Sequence, residues 1–239
     1  GGKGTPAFMK NLLHKLLPSN ETLEHYWWCA NYIFWNYFYT FLFSLRKQGG
    51  NNIPKTGPVL LIANHESFLD PISVGLTSTR NLCYLARKTL FKNPWLSSYL
   101  KAVGVFPVDL DGVAKEGIRA TLDLLQKNKV VLLFPEGTRS ETGNVQNLQP
   151  GIFLLAKKSG APILPVGIAG AYDALPRTTL IPNFCPLFKE GKNGAMAVSI
   201  GKPVTPAQLE EMGREKALVF LKEKILEEIN KANALKRKN

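Results

Sequence analysis

The apolar run Val59–Ala63 stops at Asn64 and gives way to the turn Asn64-His65-Glu66-Ser67-Phe68-Leu69, after which Asp70-Pro71 opens a new segment. The run has the length and β-branched content of a buried strand. Asp followed by Pro is a helix-start signal, with Asp as the cap and Pro at the first helical position. A buried strand feeding a helix through a short turn is the building unit of an α/β fold. His65 then lies on the turn and Asp70 at the mouth of the helix. On one regular helix they would point about 140° apart, but on a turn they can fold toward each other. A His with a carboxylate in reach is the minimal general base, and ligand chemistry in α/β sheets gathers at the carboxyl ends of strands. The plainer role for Asp70, a helix N-cap, is compatible with this one.

The pattern recurs at Val130-Val131-Leu132-Leu133-Phe134-Pro135-Glu136-Gly137-Thr138-Arg139-Ser140. Again an apolar strand breaks at a Pro and opens into a polar turn. Arg139 is suited to forked recognition of phosphate, and Gly137 permits close backbone approach or positive φ. The plainer reading is a surface loop with a Glu–Arg pair. Elsewhere the chain alternates: strands at 81–86, 103–108, 162–168 and 195–200, helices at 112–128 and 151–159, an irregular Pro-rich stretch at 171–192, and one long helix from 206 to about 234. The expected fold is α/β, a mixed, largely parallel sheet flanked by helices. Parallel crossovers would bring the His65 and Glu136 turns to one edge.

Residues 1–8 read as a non-native leader ahead of Met9. Residues 9–50 read as a two-helix, membrane-associating motif. Its first part, 10–17, is amphipathic and ends at Pro18. Its second part, 26–45, holds no charge and nearly half of the chain's aromatic residues. Asn31 and Asn36 interrupt it, and Tyr and Trp prefer the headgroup level, so a helix lying in or dipping into one leaflet is expected, with Trp27, Trp28, Trp35, Phe38 and Phe41 as contacts. The competing reading is a helix packed on the protein's own core. The net charge of +12 points to an anionic partner. Nucleic acid is disfavoured, because the basic residues are scattered and the aromatics sit in an uncharged segment. Three cysteines without metal spacing and three scattered His speak against a metal site.

Together, Asn64-His65-Glu66-Ser67-Phe68-Leu69-Asp70 and Phe134-Pro135-Glu136-Gly137-Thr138-Arg139-Ser140 resemble the paired motifs of the glycerolipid acyltransferases, most closely the lysophosphatidic acid acyltransferase branch. The likeness runs from about Pro58 to Val204. Ala86-Arg87-Lys88-Thr89-Leu90-Phe91 resembles the family's Lys-plus-Leu-Phe segment, and residues 161–168 its last block. Gly104-Val105-Phe106-Pro107-Val108-Asp109 resembles the intermediate block, with Asp109 where a basic residue usually stands.

The resemblance implies that residues 51–239 form an acyltransferase domain. His65, oriented by Asp70, would activate the sn-2 hydroxyl of lysophosphatidic acid against an acyl thioester carried by coenzyme A or acyl carrier protein. Arg139 would hold the phosphate, helped by Arg87 or Lys88, with Gly137 and Thr138 in the same loop and Glu136 positioning it. No cofactor is implied, and the place of work is a membrane, on its cytoplasmic face. Other acceptors (glycerol 3-phosphate, another lysophospholipid) and a non-catalytic lipid-binding role are the alternatives.

Overall fold

The computed structural model describes residues 20–108, 114–179, 181–188 and 194–237, with backbone alone for 20–25, 27, 28 and 114. The expected leader, the amphipathic segment 10–17 and Asp109 lie outside the described residues.

Helix α1 (Asn20–Phe43) leads into β1 (Arg46–Gln48) and then β2 (Val59–Ala63), α2 (Asp70–Thr77) and β3 (Leu82–Arg87). Next come α3 (Pro94–Ala102), β4 (Val105–Val108), α4 (Ala114–Gln126), β5 (Val130–Leu133), α5 (Gly151–Ser159) and β6 (Ile163–Ala169). The chain closes with α6 (Ala171–Ala174), β7 (Ala197–Ile200), α7 (Pro206–Met212) and α8 (Arg214–Leu235). The seven strands form one sheet in the order β1-β7-β6-β2-β5-β3-β4. From β6 to β4 every pairing is parallel; β7 runs antiparallel to β6, and β1 runs parallel to β7. The mixed, largely parallel sheet expected from the sequence is therefore present.

Every residue of β2 is fully buried, as a parallel strand covered on both faces should be. Val59, Leu61 and Ala63 join the core beneath α1 and α2; Leu60 and Ile62 join the opposite core beneath α4, α5, α7 and α8. The period of two thus sorts one strand into two hydrophobic layers. Parallel register (Ile62 opposite Leu133, Ala63 opposite Val166) brings the carboxyl ends of β2, β5 and β6 to one edge, beside that of β3.

Two local features depart from the sequence reading. The segment expected to be one long helix is two: Gly213 sits at φ 74° between α7 and α8, a left-handed step that breaks the helix. Thr205 and Gln208 start α7 with a capping box. Helix α8 then lies directly on β6, because Gly167 has no side chain; a Cβ there would come within 2.1 Å of the backbone at Glu228 and Ile229.

The aromatic helix also departs from expectation. Tyr39 and Phe43 are buried in the core, and Tyr32, Trp35, Phe38 and Leu42 pack against it. Hydrogen bonds run from Tyr32 Oη to Leu76 O and from Trp35 Nε1 to Tyr99 Oη, and Asn36 accepts from Lys47 Nζ. Trp35 and Phe38, expected to meet lipid, are thus turned toward the protein, and Phe41 remains exposed. The side chains of Trp27 and Trp28 lie outside the described residues. No helix among the described residues is long and apolar enough to cross a membrane. The aromatics serve, at least in part, the core packing that competed with the membrane reading. The irregular, Pro-rich stretch after α6 is tied down where Cys185 N donates to Leu42 O and Leu187 N to Phe41 O.

Candidate active site

The site is built on the turn after β2. Asn64 closes the strand by exchanging hydrogen bonds with both backbone groups of Ile168 on β6, at 2.8 and 3.0 Å. The backbone of His65 is held from the other side: its N–H donates to Glu136 Oε1 at 2.8 Å, and its carbonyl accepts from Ser140 N at 2.7 Å. Neither tie uses the imidazole. The ring is stacked on Phe134, centroids 4.0 Å apart, and Nδ1 lies 2.8 Å from Asp70 Oδ2.

Asp70 is wholly buried, and Oδ2 also accepts from Glu66 N at 2.6 Å and Ser67 N at 2.7 Å. This corrects the cap assignment. Asp70 stands inside the first turn of α2, Leu69 is the N-cap, and no side chain caps the helix. The carboxylate instead turns back over its own loop and gathers three donors on one oxygen. A carboxylate oxygen can only accept, so the network assigns the imidazole hydrogen to Nδ1 and leaves the Nε2 lone pair directed away from Asp70. The His65 side chain keeps 20% of its surface exposed, so the site can be reached from solvent.

Glu136 is buried, and its second oxygen accepts from Gln146 N at 2.8 Å. Both oxygens therefore serve backbone N–H groups, which makes Glu136 the strut between the two turns rather than a contact for an anion. Gly137 adopts φ 80°, while Thr138 and Gly137 are exposed. Arg139 lays its guanidinium over the Phe68 ring at 3.7 Å. Burial, and next the nearby Arg177, depress its affinity for the proton, while Asp70 acts in the opposite direction.

Arg87 ends β3 and Lys88 follows it, on the same edge but beyond β5, about 10 Å from β2 at the usual strand spacing. Lys88 Nζ is 3.1 Å from Glu116. Thus His65, Asp70, Glu136, Gly137, Thr138 and Arg139 cluster at two adjoining turns, while Arg87 and Lys88 lie at the end of β3, two strands over in the same sheet. No cluster among the described residues has three or more His, Cys, Asp or Glu side chains able to hold a metal.

Several positioning residues escaped the sequence reading. Glu66, also buried, accepts from Asn64 Nδ2 at 2.9 Å and from Tyr172 N at 3.1 Å, and Ser67 Oγ donates to Leu175 O. These bonds seat the β6–α6 corner on the turn that bears His65. The available signal was a carboxylate placed directly beside His65 in a segment headed for burial.

Burial pushes Glu66 up to about 8, with Asp70 adding to the rise and the bonds from Tyr172 and Asn64 opposing it. The folded chain thus keeps a proton that the unfolded chain, at the ordinary 4.5, has released. The associated stability is complete below pH 4.5 and is lost as pH rises through about 8. Burial raises Glu136 as well, with the same sign. The melting temperature of the wild type should therefore fall more steeply than that of Glu66→Gln between about pH 5 and about pH 9. Parallel curves would remove Glu66 as the source.

The family model described as Acyltransferase matches residues 44–169, a span that holds His65, Asp70, Glu136 and Arg139. The chain is 28% identical over 179 residues to a 1-acyl-sn-glycerol-3-phosphate acyltransferase of Bacillus subtilis (strain 168), covering 74% of this chain and 82% of that protein. It is 29% identical over 132 residues to a chloroplastic 1-acyl-sn-glycerol-3-phosphate acyltransferase of Brassica napus, covering 54% of this chain and 38% of that protein. Among solved structures, the 1-acyl-sn-glycerophosphate acyltransferase of Thermotoga maritima superposes with a TM-score of 0.75 at 25% identity, covering 97% of this chain and 90% of that one.

Proposed function

The chain belongs to the Acyltransferase family, and we propose that it moves a fatty acyl group from an acyl thioester to the sn-2 hydroxyl of 1-acylglycerol 3-phosphate, giving phosphatidic acid. The observation that carries this reading is the 2.8 Å contact between His65 Nδ1 and Asp70 Oδ2, on a turn that shares an edge with Arg139. The names of the Bacillus, Brassica and Thermotoga relatives support it.

In this mechanism the acceptor hydroxyl oxygen attacks the thioester carbonyl carbon. Its proton passes to His65 Nε2 as the new C–O bond forms. Collapse of the tetrahedral intermediate breaks the C–S bond, and the proton held by His65 goes to the departing sulfur. Asp70 keeps the ring in the correct tautomer and stabilises the imidazolium. Arg139, braced on Phe68, binds the acceptor phosphate, and Glu136 holds the two turns in register. Ser67 donates its hydroxyl to Leu175 O, which favours direct transfer over an acyl-enzyme. The donor is coenzyme A or acyl carrier protein, and the basic chain suits an acidic carrier.

The acceptor has one acyl chain and the product has two, so work at a leaflet surface, on the cytoplasmic face, avoids extracting either from the bilayer. The outward face of α1, with Ile33, Phe34, Tyr37 and Phe41 exposed, supports contact with that surface.

The deciding experiment measures transfer of labelled acyl groups from acyl-coenzyme A and from acyl carrier protein, in detergent. The acceptors are 1-acylglycerol 3-phosphate, glycerol 3-phosphate and monoacylglycerol. Preference for the first acceptor is expected. Acylation of glycerol 3-phosphate alone would move the acceptor class, and no transfer from either donor would sink the catalytic reading.

A further inference from the structure

We propose that Arg177 is a second phosphate-binding side chain of the acceptor site, gripping the phosphate monoester together with Arg139. This rests on the acyltransferase reading and deepens it. Arg177 comes after α6 on a segment seated against the catalytic turn. Glu66 accepts from Tyr172 N at 3.1 Å, and Ser67 Oγ donates to Leu175 O at 2.9 Å, two residues before Arg177. The next residue after Ser67 is Phe68, whose ring carries the Arg139 guanidinium. Both arginines therefore spring from positions fixed by the same turn.

The loop bearing Arg139 is tied to the same segment. Tyr172 Oη donates to Glu141 O at 2.9 Å, and Arg177 Nη1 lies 3.2 Å from Glu141 Oε1. Glu141 is two residues beyond Arg139. Arg177 is close enough to disfavour the charged form of Arg139, and like charges held together cost free energy unless an anion lies between them. Glu141 offsets this only weakly, because its side chain is 77% exposed and such surface pairs contribute little. A phosphate monoester carries nearly two negative charges near neutral pH and offers several oxygens to guanidinium forks, so it suits two arginines better than a single solvated carboxylate does. The Arg177 side chain is 45% exposed, so an incoming phosphate can compete with Glu141 for it.

The donor also carries phosphate, so the test separates the two sources. Steady-state kinetics of the full chain in detergent would compare wild type, Arg177→Ala and Arg177→Lys. Arg177→Ala should raise KM for 1-acylglycerol 3-phosphate by about tenfold relative to KM for monoacylglycerol, with the donor KM unmoved. Arg177→Lys should recover part of the loss. An unchanged acceptor KM, or a rise confined to the donor KM, would overturn the assignment. A second arm measures dodecyl phosphate binding by calorimetry, with neutral dodecyl maltoside as reference. Weaker dodecyl phosphate binding by Arg177→Ala supports the pair even if the wild type transfers nothing to 1-acylglycerol 3-phosphate. Equal binding by the variant, or none by the wild type, rejects it.

Discussion

His65→Ala is expected to lower kcat for acyl transfer by about 10³-fold, within the range that a positioned general base supplies. The fold should survive. The bonds that hold the turn to Glu136 and Ser140 run through the His65 backbone, which alanine keeps. Asp70 Oδ2 retains its two backbone donors from Glu66 and Ser67. What is lost structurally is the Nδ1 bond to Asp70 Oδ2 and the stack on Phe134, the latter about 1 kcal/mol for such a ring pair. Circular dichroism and the melting temperature should therefore stay near wild type while transfer collapses. A kcat within tenfold of wild type would take the base assignment away from His65.

Two substitutions at Asp70 should separate catalysis from structure. Asp70→Asn can keep an oxygen where Oδ2 now sits, still accepting from Glu66 N, Ser67 N and the imidazole. It removes the charge that stabilises the imidazolium, so kcat should fall by about 10²-fold or more with only a modest change in melting temperature. Asp70→Ala additionally orphans two buried N–H groups, each costing about 1–3 kcal/mol. The alanine variant should therefore be clearly less stable than the asparagine variant. Equal stability would mean that Asp70 does not organise the turn, and full activity in the asparagine variant would reduce it to a packing residue.

The turn that bears His65 is legible because its signals are local. An apolar run, a polar break and Asp-Pro lie within the thirteen residues from Val59 to Pro71, and a strand buried on both faces must end where its polar neighbours begin. What Asp70 does with its carboxylate was not legible. A helix-start residue ordinarily caps its own helix, and only the tight turn at Glu66 and Ser67 shows why this one turns back. The clamp from Asn64, Glu66 and Ser67 to residues 168–175 joins segments more than a hundred positions apart, and no periodicity reports such a pairing. Edge strand β1, three polar residues long, carries no alternation that would mark it as a strand. The aromatic helix is a different case. Rings packed on a protein core and rings packed on lipid look alike in sequence, and burial of Tyr39 and Phe43 decides between them for the inner face.

The pairing of β1 with β7 sets the order in which the molecule can be completed during synthesis. Ser44, at the end of α1, bonds to the carbonyl of Cys185, 141 residues later, and Phe43 O accepts from Met196 N. A ribosome adds about 5–20 residues per second, so the end of the aromatic helix waits on the order of ten seconds for its partners. The central parallel strands have all been made by then. Until then the end of the helix and β1 lack these partners, and the last strand to emerge is the one that pairs with the first.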